Sequence, residues 1–293
     1  CWLGCPYGGY FSTQASTLPA AMASGNLTLR PHSIVKELIY DKDGKKAKGV
    51  VVLDAETNMT YEYTAPIVFL NASALNSTWI LMNSATDVWE GGLGSSSGEL
   101  GHNLMDHVVN EGTYGTYEGF KDKYYTGKSP GTIYIPRFQN LNSETKKPNF
   151  IRGYGIQGKG ERENWQSKAT TGIGVSLKEQ LATPGEWTIS LGGRGETLPN
   201  YENKISLDPQ NLDKWGLPLV KVDFEYGSNE LAMMEHMTKS SEEMLKKAGF
   251  KNVGSYRTSP DPGAAVHEMG TARMGKDPKT SVLNNHNQMH DVK

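Results

Sequence analysis

The chain has 293 residues, room for one large domain or two ordinary ones. Hydrophobic residues make up 37% and charged residues 21%, the balance of an ordinary globular protein. A formal net charge of −2 offers no basic field for nucleic acid or anionic lipid, and no apolar run approaches the roughly 20 residues that span a bilayer, so neither a nucleic-acid partner nor an integral membrane protein is expected.

The chain opens on Cys1-Trp2-Leu3-Gly4-Cys5 without an initiator Met, and Asp291-Val292-Lys293 falls in loop-like sequence. Both ends read as cuts, and the chain as an internal piece. Cys1 and Cys5 are the only cysteines. A lone C-x-x-x-C fits two ordinary thiols, or a metal or iron–sulfur site completed by other ligands.

Residues 18–23 predict a short helix stopped by Gly25. Residues 27–29, 34–40, 50–54 and 59–63 are short, alternating and rich in β-branched or aromatic residues. With Asp41-Lys42-Asp43-Gly44 as a turn, they predict an antiparallel meander. The continuous apolar run at 67–70 suits a strand buried on both faces, as in a parallel sheet. It leads through small residues into a helix around Trp79, with Asn76 or Ser77 as N-cap. Such a turn lets a ligand approach the backbone and leaves a helix N-terminus free for a phosphate; a tight turn would also select small residues for itself.

Residues 91–101 form a loop rich in Gly and Ser. Strands are predicted at 133–138, 150–154, 173–177, 187–191, 205–207 and 219–224. A long helix spans 230–248, with Leu231, Met234, Met237, Ser241, Leu245 and Ala248 on its apolar face and Gly249 as its stop. The methionines of that face read as core. No internal repeat is evident.

Gly153, Gly155 and Gly158 form a G-x-G-x-x-G. The next residues, Lys159 to Asn164, have no apolar periodicity for a packed helix, so the glycines read as a glycine-rich strand or loop and not as a dinucleotide fingerprint. His286 and His290 have metal-ligand spacing, but the sequence around them is loop-like and no third ligand is evident. Asn-x-Ser/Thr sequons occur at Asn26, Asn58, Asn71 and Asn76; burial is expected at the last two, which read as chance matches.

The segment His267-Glu268-Met269-Gly270-Thr271-Ala272-Arg273-Met274-Gly275 has one histidine, two glycines and no regular period. A histidine in such a loop can act as a base near neutral pH; it can equally be a hydrogen-bonded loop residue.

This segment resembles the H-x-x-G-T-x-x-M-G stretch of the glucose–methanol–choline (GMC) oxidoreductases. Other stretches agree with that family in the same order. Cys5-Pro6-x-Gly8 with Ser12 and Thr13 is similar to a segment before the first substrate-side strands. Ser73 to Ser84 resembles the family's second signature, departing at Ser73, Thr78 and Ala85, where the family has Gly, Pro and Gly. Gly98-x-x-Gly101-x-Asn103-Leu104-x-Asp106-His107 is similar to G-x-x-G-x-N-L-x-D-H. Gly195-Glu196-x-Leu198-Pro199, Asn203-x-Ile205-x-Leu207-Asp208 and Asp213-x-Trp215-Gly216-x-Pro218 resemble substrate-domain strands.

The resemblance implies an α/β (α+β) fold: an FAD-binding Rossmann-like domain from residues 1–103 and 263–293, and a substrate domain with a large antiparallel sheet from 104–262. It implies FAD as cofactor, with Val35, Ala72, Ser73 and Ala74 beside it, and His267 as the base that takes the hydroxyl proton while a hydride moves to the flavin. It also implies that the glycine fingerprint and the second catalytic His or Asn lie outside this chain, leaving this piece alone inactive. The branch most similar is that of bacterial sugar dehydrogenases and pyranose oxidases. A sugar or other small alcohol as substrate, a quinone or cytochrome as electron acceptor, and a periplasmic or membrane-associated setting are implied by that branch, as is an iron–sulfur cluster with Cys1 as one ligand. A peroxide-forming oxidase and a non-catalytic carbohydrate-binding derivative of the fold are the alternatives.

Overall fold

The structure, a computed structural model, describes residues 9, 11–109, 111–123, 132–163, 172–257 and 263–292. Cys1, Cys5 and the Cys5-Pro6-x-Gly8 match lie outside them. A short helix α1 (Thr17–Ala23) ends at Gly25, whose φ is +73°. The expected meander comes next as strands β1 (Ser33–Asp41), β2 (Lys46–Asp54) and β3 (Thr60–Thr64), paired antiparallel in that order. The Asp41 side chain closes the first hairpin by accepting the Gly44 N–H at 3.0 Å. Residues 27–29 are not a strand; Pro31, with no N–H, and His32 at φ +53° turn the chain there.

The apolar run at 67–70 also lies outside any ladder. Val68 and Leu70 pack onto the core of the meander, while Ile67 and Phe69 are 68% and 79% exposed. A strand buried on both faces needs a layer on each side, and among the described residues one side is supplied. Helix α2 (Ser73–Asn83) begins earlier than expected, with Ala72 as N-cap. Ser77 acts from inside the helix instead: its hydroxyl accepts the Ala72 N–H at 3.2 Å and donates to the Leu70 carbonyl at 3.4 Å. Asn71 and Asn76 are exposed, not buried, because they border a surface cavity beside this turn.

A five-stranded antiparallel sheet is built from β4 (Glu111–Tyr117), β5 (Ile133–Ile135), β6 (Tyr154–Arg162), β7 (Trp187–Gly195) and β10 (Lys251–Arg257), in the order β10-β4-β7-β6-β5. The G-x-G-x-x-G stretch lies in β6, paired along its length with β7. The strand expected at 150–154 starts only at Tyr154. Asn140 donates to the Phe150 and Arg152 carbonyls and so removes them from any ladder. The strand expected at 173–177 is a helix, α3 (Val175–Ala182). Its Leu-Lys-Glu-Gln-Leu-Ala run is strongly helix-forming, and Ile173, 92% exposed, joins no sheet among the described residues.

Helix α4 (Ser228–Lys247) covers one face of the sheet. Its buried row is Glu230, Met233, Met234, Met237, Ser241 and Leu245; Leu231, expected in that row, is exposed. The row is rotated because Met237 and Met233 drop onto Gly193 and Gly195 of β7, where a Cβ would collide with their side chains. Each such buried side chain contributes about 1.5–3 kcal/mol. A hairpin of β8 (Lys204–Leu212) and β9 (Pro218–Asp223) stands apart from this sheet. It docks on the meander side, where Trp79 donates to the Pro218 carbonyl and Trp215 to the Ala55 carbonyl.

Two apolar clusters result. One joins α4 to the five-stranded sheet. The other joins β1, β2 and α2 to Leu93, Leu100, Val282, Met289 and Val292, so residues distant in sequence close one core. Among the described residues no helix is long and apolar enough to cross a membrane.

His236 on α4 accepts the Tyr154 hydroxyl at Nδ1, 2.7 Å away. Burial, with Lys147 and Lys239 nearby, holds its proton affinity below the ordinary histidine value of 6.5, against the pull of Glu243. As pH falls below 6.5 the unfolded chain takes the proton first, so this stability is present above that value and lost through the lowered folded one. His236→Asn keeps an acceptor and removes the titration. Urea midpoints between about pH 7 and about pH 5 should therefore fall less steeply in the variant. An acid limb of unchanged slope would remove His236 from it.

Candidate active site

His267 sits in a loop at the junction of the two cores, its side chain exposed. The loop is held by its backbone. Asp106, 3% exposed, accepts the His267 N–H at 3.1 Å on Oδ1 and the Ala265 N–H at 3.0 Å on Oδ2. Oδ1 also accepts the N–H of His107 at 2.7 Å. Met105 and Met269 exchange both backbone hydrogen bonds at 2.9 Å. Gly270, at φ +89°, passes so close to the Asn103 carbonyl that a Cβ would run into it. His267 is thus carried on a loop stitched, residue by residue, to the segment from Asn103 to His107.

The His107 ring meets that of His267 edge to face, with centroids 5.3 Å apart. His107 Nδ1 lies 3.2 Å from the Gly195 carbonyl. A carbonyl only accepts, so Nδ1 carries a proton. The opposite ring nitrogen is then free to accept in the neutral ring. Tyr226 donates to the His107 carbonyl at 3.1 Å. Burial, with Asp106 and then Glu230 adding negative charge, raises its phenol to about 12, so it stays a neutral donor. Thr197 donates to the Asp106 carbonyl.

Thr271 connects this loop to helix α2. It is fully buried, shares a 2.7 Å hydroxyl contact with Thr78 and lies 3.1 Å from the Ala74 carbonyl. Its backbone pairs with Gly101 and His102. The α2 turn and the His267 loop, two regions that carry separate family motifs, are therefore in contact.

The residues expected beside a cofactor divide between two places. Val35 and Ala72 line an apolar cavity of about 640 Å³ with Val68, Trp79, Trp215 and Leu217. Ala74 faces Thr271, and Ser73, at φ +70°, is exposed at the start of α2. His267 does not line that cavity. Val35, Ala72 and the rest of that lining fit the flat, largely apolar end of a dinucleotide: the cavity has a suitable volume and few polar groups, and no side chain caps the first turn of α2 beside it.

Other sequence candidates do not join the site. His290 Nε2 contacts the Ser281 hydroxyl and the Gly275 carbonyl, and the Asn284 side chain accepts the His286 N–H. Among the described residues no group of three or more His, Cys, Asp or Glu could hold a metal. Asp106 and His107 are visible in the sequence as part of a motif match, but their place in the site is not. The available signal was an adjacent Asp-His pair just before a strand.

Two family models, both described as GMC oxidoreductase, match residues 1–109 and 199–293. The 2-methyl-1,2-propanediol dehydrogenase of Mycolicibacterium austroafricanum is 29% identical over 99% of this chain and 52% of its own length. The 6'''-hydroxyparomomycin C oxidase of Streptomyces lividus is 24% identical over 98% of this chain and 49% of its own. The gluconate 2-dehydrogenase flavoprotein of Pantoea cypripedii is 25% identical over 96% and 47%. The chain spans about half the length of these curated relatives. In fold it is similar to a formate oxidase from Aspergillus oryzae RIB40, with a TM-score of 0.59 at 17% identity over 93% of this chain and 56% of that one.

Asp106→Asn preserves shape but turns part of the acceptor edge into a donor facing N–H groups. Hydrogen bonds to a charged group are worth about 1.5–3 kcal/mol each, so the variant should be about 2–3 kcal/mol less stable in urea titrations. Wild-type stability would mean that the carboxylate does not hold the loop.

Proposed function

The chain belongs to the GMC oxidoreductase family, and from that premise we propose that it supplies the proton-accepting side of an FAD-dependent site that oxidises an alcohol group of a sugar or a related polyol. The observation that carries this reading is the placement of His267: an exposed imidazole on a loop whose backbone is fixed by a buried carboxylate.

FAD, when bound, supplies the acceptor for the hydride that leaves the carbinol carbon. Val35 and Ala72 would hold its apolar end, with Ser73 and Ala74 at the adjacent helix start. His267 takes the hydroxyl proton on a ring nitrogen, so that the alcohol loses a hydride and a proton and becomes a carbonyl. The Asp106 clamp keeps that ring from drifting, which matters because misplacement by about 1 Å can cost about a hundredfold in rate. Residues 1–103 and 263–293 form the cofactor side in this reading and 104–262 the substrate side.

Two of the three relatives compared are dehydrogenases by name, which favours a quinone or cytochrome acceptor over oxygen. A periplasmic or membrane-associated setting goes with such an acceptor. An iron–sulfur cluster ligated in part by Cys1 would serve as a relay to it, and iron analysis of the purified protein reads that directly. The oxidase named among the relatives supports the second reading, in which hydrogen peroxide accumulates with turnover.

In the flavin-loaded protein, His267→Ala should lower dye-linked turnover by about a hundredfold or more while flavin absorbance is retained. Unchanged turnover would take His267 out of the mechanism.

A further inference from the structure

The face of the five-stranded sheet turned away from α4 carries a pattern that the proposed mechanism does not use. The pairing registers place Tyr256, Gly112, Gly192, Gln157 and Tyr134 in one row across all five strands. Their neighbours Thr113, Leu191 and Ile156, each one residue away, face α4. The row is therefore a trough: two glycines and a glutamine as floor, a tyrosine at each edge. The Tyr256 hydroxyl leans over Gly112 and Gly192, and the Tyr134 ring leans over Gly155. A polar floor between aromatic walls suits a polyhydroxylated chain, whose C–H faces stack on rings and whose hydroxyls need partners.

The charges of this face are uneven. Arg137 pairs with Glu196 and Lys159 with Glu161. Arg194, which lies opposite Gly155, is exposed, and its guanidinium bonds the carbonyl of its own neighbour, Gly193, at 3.0 Å. Among the described residues no carboxylate pairs with it. Arg194 Nη1 and the Tyr256 hydroxyl lie 3.6 and 3.1 Å from the point where a Cβ on Gly192 would stand. Two donors thus converge over a glycine whose missing side chain lets them come this close, since a Cβ there would crowd the Tyr256 hydroxyl. The residue after Arg194 on β7, Gly195, carries the carbonyl that holds His107 against His267.

We propose that this trough is the substrate floor and that Arg194 and Tyr256 receive an anionic group there, so that the preferred substrate is a polyhydroxy acid and not a neutral sugar. The proposal rests on the alcohol-oxidising reading above and adds the substrate class. From Gly192 to Gly195 is three residues, about 10 Å of strand. A sugar acid, with its carboxylate several carbons from a reacting hydroxyl, matches that separation better than a two-carbon hydroxy acid.

The test uses the flavin-loaded protein with gluconate and glucuronate as acids and glucitol and glucose as their neutral counterparts. Calorimetric binding and dye-linked kinetics are measured for the native protein, Arg194→Gln and Tyr256→Phe. A charge-assisted, bidentate contact is worth a factor of about ten or more, so Arg194→Gln should raise KM and Kd for the acids at least that much and leave the neutral polyols nearly unchanged. Tyr256→Phe, which keeps the ring, should weaken the acids by a few-fold. Equal losses on acids and neutrals, no loss, or no acid bound by the native protein would each overturn the proposal. Binding of acids through Arg194 without flavin reduction would instead keep the anion-receiving trough and overturn the alcohol-oxidising reading, and with it the assignment of the acid as substrate.

Discussion

The site depends on one buried carboxylate. Asp106 gathers N–H groups from Ala265, His267 and His107, two of them contributed by a loop about 160 residues further along the chain. Nothing in the local sequence of that loop would fix it. Its glycines permit tight turns and its lone histidine has no helix or strand to ride on. A carboxylate with two oxygens and several lone pairs can bind a loop and its neighbour at once, which an amide or hydroxyl cannot match. Burial makes the arrangement stringent, because any of those donors left unpaired would carry its desolvation cost.

A second tie makes the two cores one site. Thr271 joins Thr78 and Ala74 on α2 by its hydroxyl, and Gly101 and His102 by its backbone. Helix α2 in turn stands on the meander through the cluster that includes Leu38, Ile80 and Leu81. A displacement of α2 is therefore transmitted to the His267 loop through a fully buried hydroxyl pair. Because interiors are close-packed, such a link moves as a unit or breaks. The small residues at the head of α2 acquire a second meaning: they allow approach from the cavity side and also leave the Ala74 carbonyl bare for Thr271.

How much was legible in the sequence depends on whether a residue's partner is near in the chain. The meander, α1 and α4 are local patterns, and the structure has them. The run at 67–70 has strand composition, but composition does not supply an adjacent ladder, and here the segment packs by one face only. At 150–154 a single asparagine side chain took the carbonyls that a strand would have used. At 173–177 the branched residues alternate convincingly, yet Gly174 at φ +85° breaks the extension and the residues after it prefer a helix. His267 is singled out by the family resemblance, and its role as base is the proposal made above. Asp106 as its clamp was not legible, because that role exists only after the fold brings the two segments together. The rotated face of α4 has the same origin: Leu231 against Met233 was decided by glycines on a strand far away in sequence.

Strand β7 shows how a few residues can serve two surfaces. In Gly192-Gly193-Arg194-Gly195, alternate positions face opposite sides of the sheet. Gly193 and Gly195 face α4, where their missing side chains admit Met237 and Met233. Gly192 and Arg194 face the other side, where one admits the Tyr256 hydroxyl and the other brings a charge. A slip of one residue would put the guanidinium under the helix and the methionine sockets on the open face, so the register that packs the core is also the register that presents the charge. Any larger residue at Gly193 or Gly195 would push α4 outward. Glu230 on α4 accepts the Leu198 N–H, and Tyr226, just before α4, donates to His107, so that displacement would pull on the His267 clamp as well. Core packing, the charge on the open face and the position of His267 thus all run through one four-residue stretch, and they cannot be changed independently.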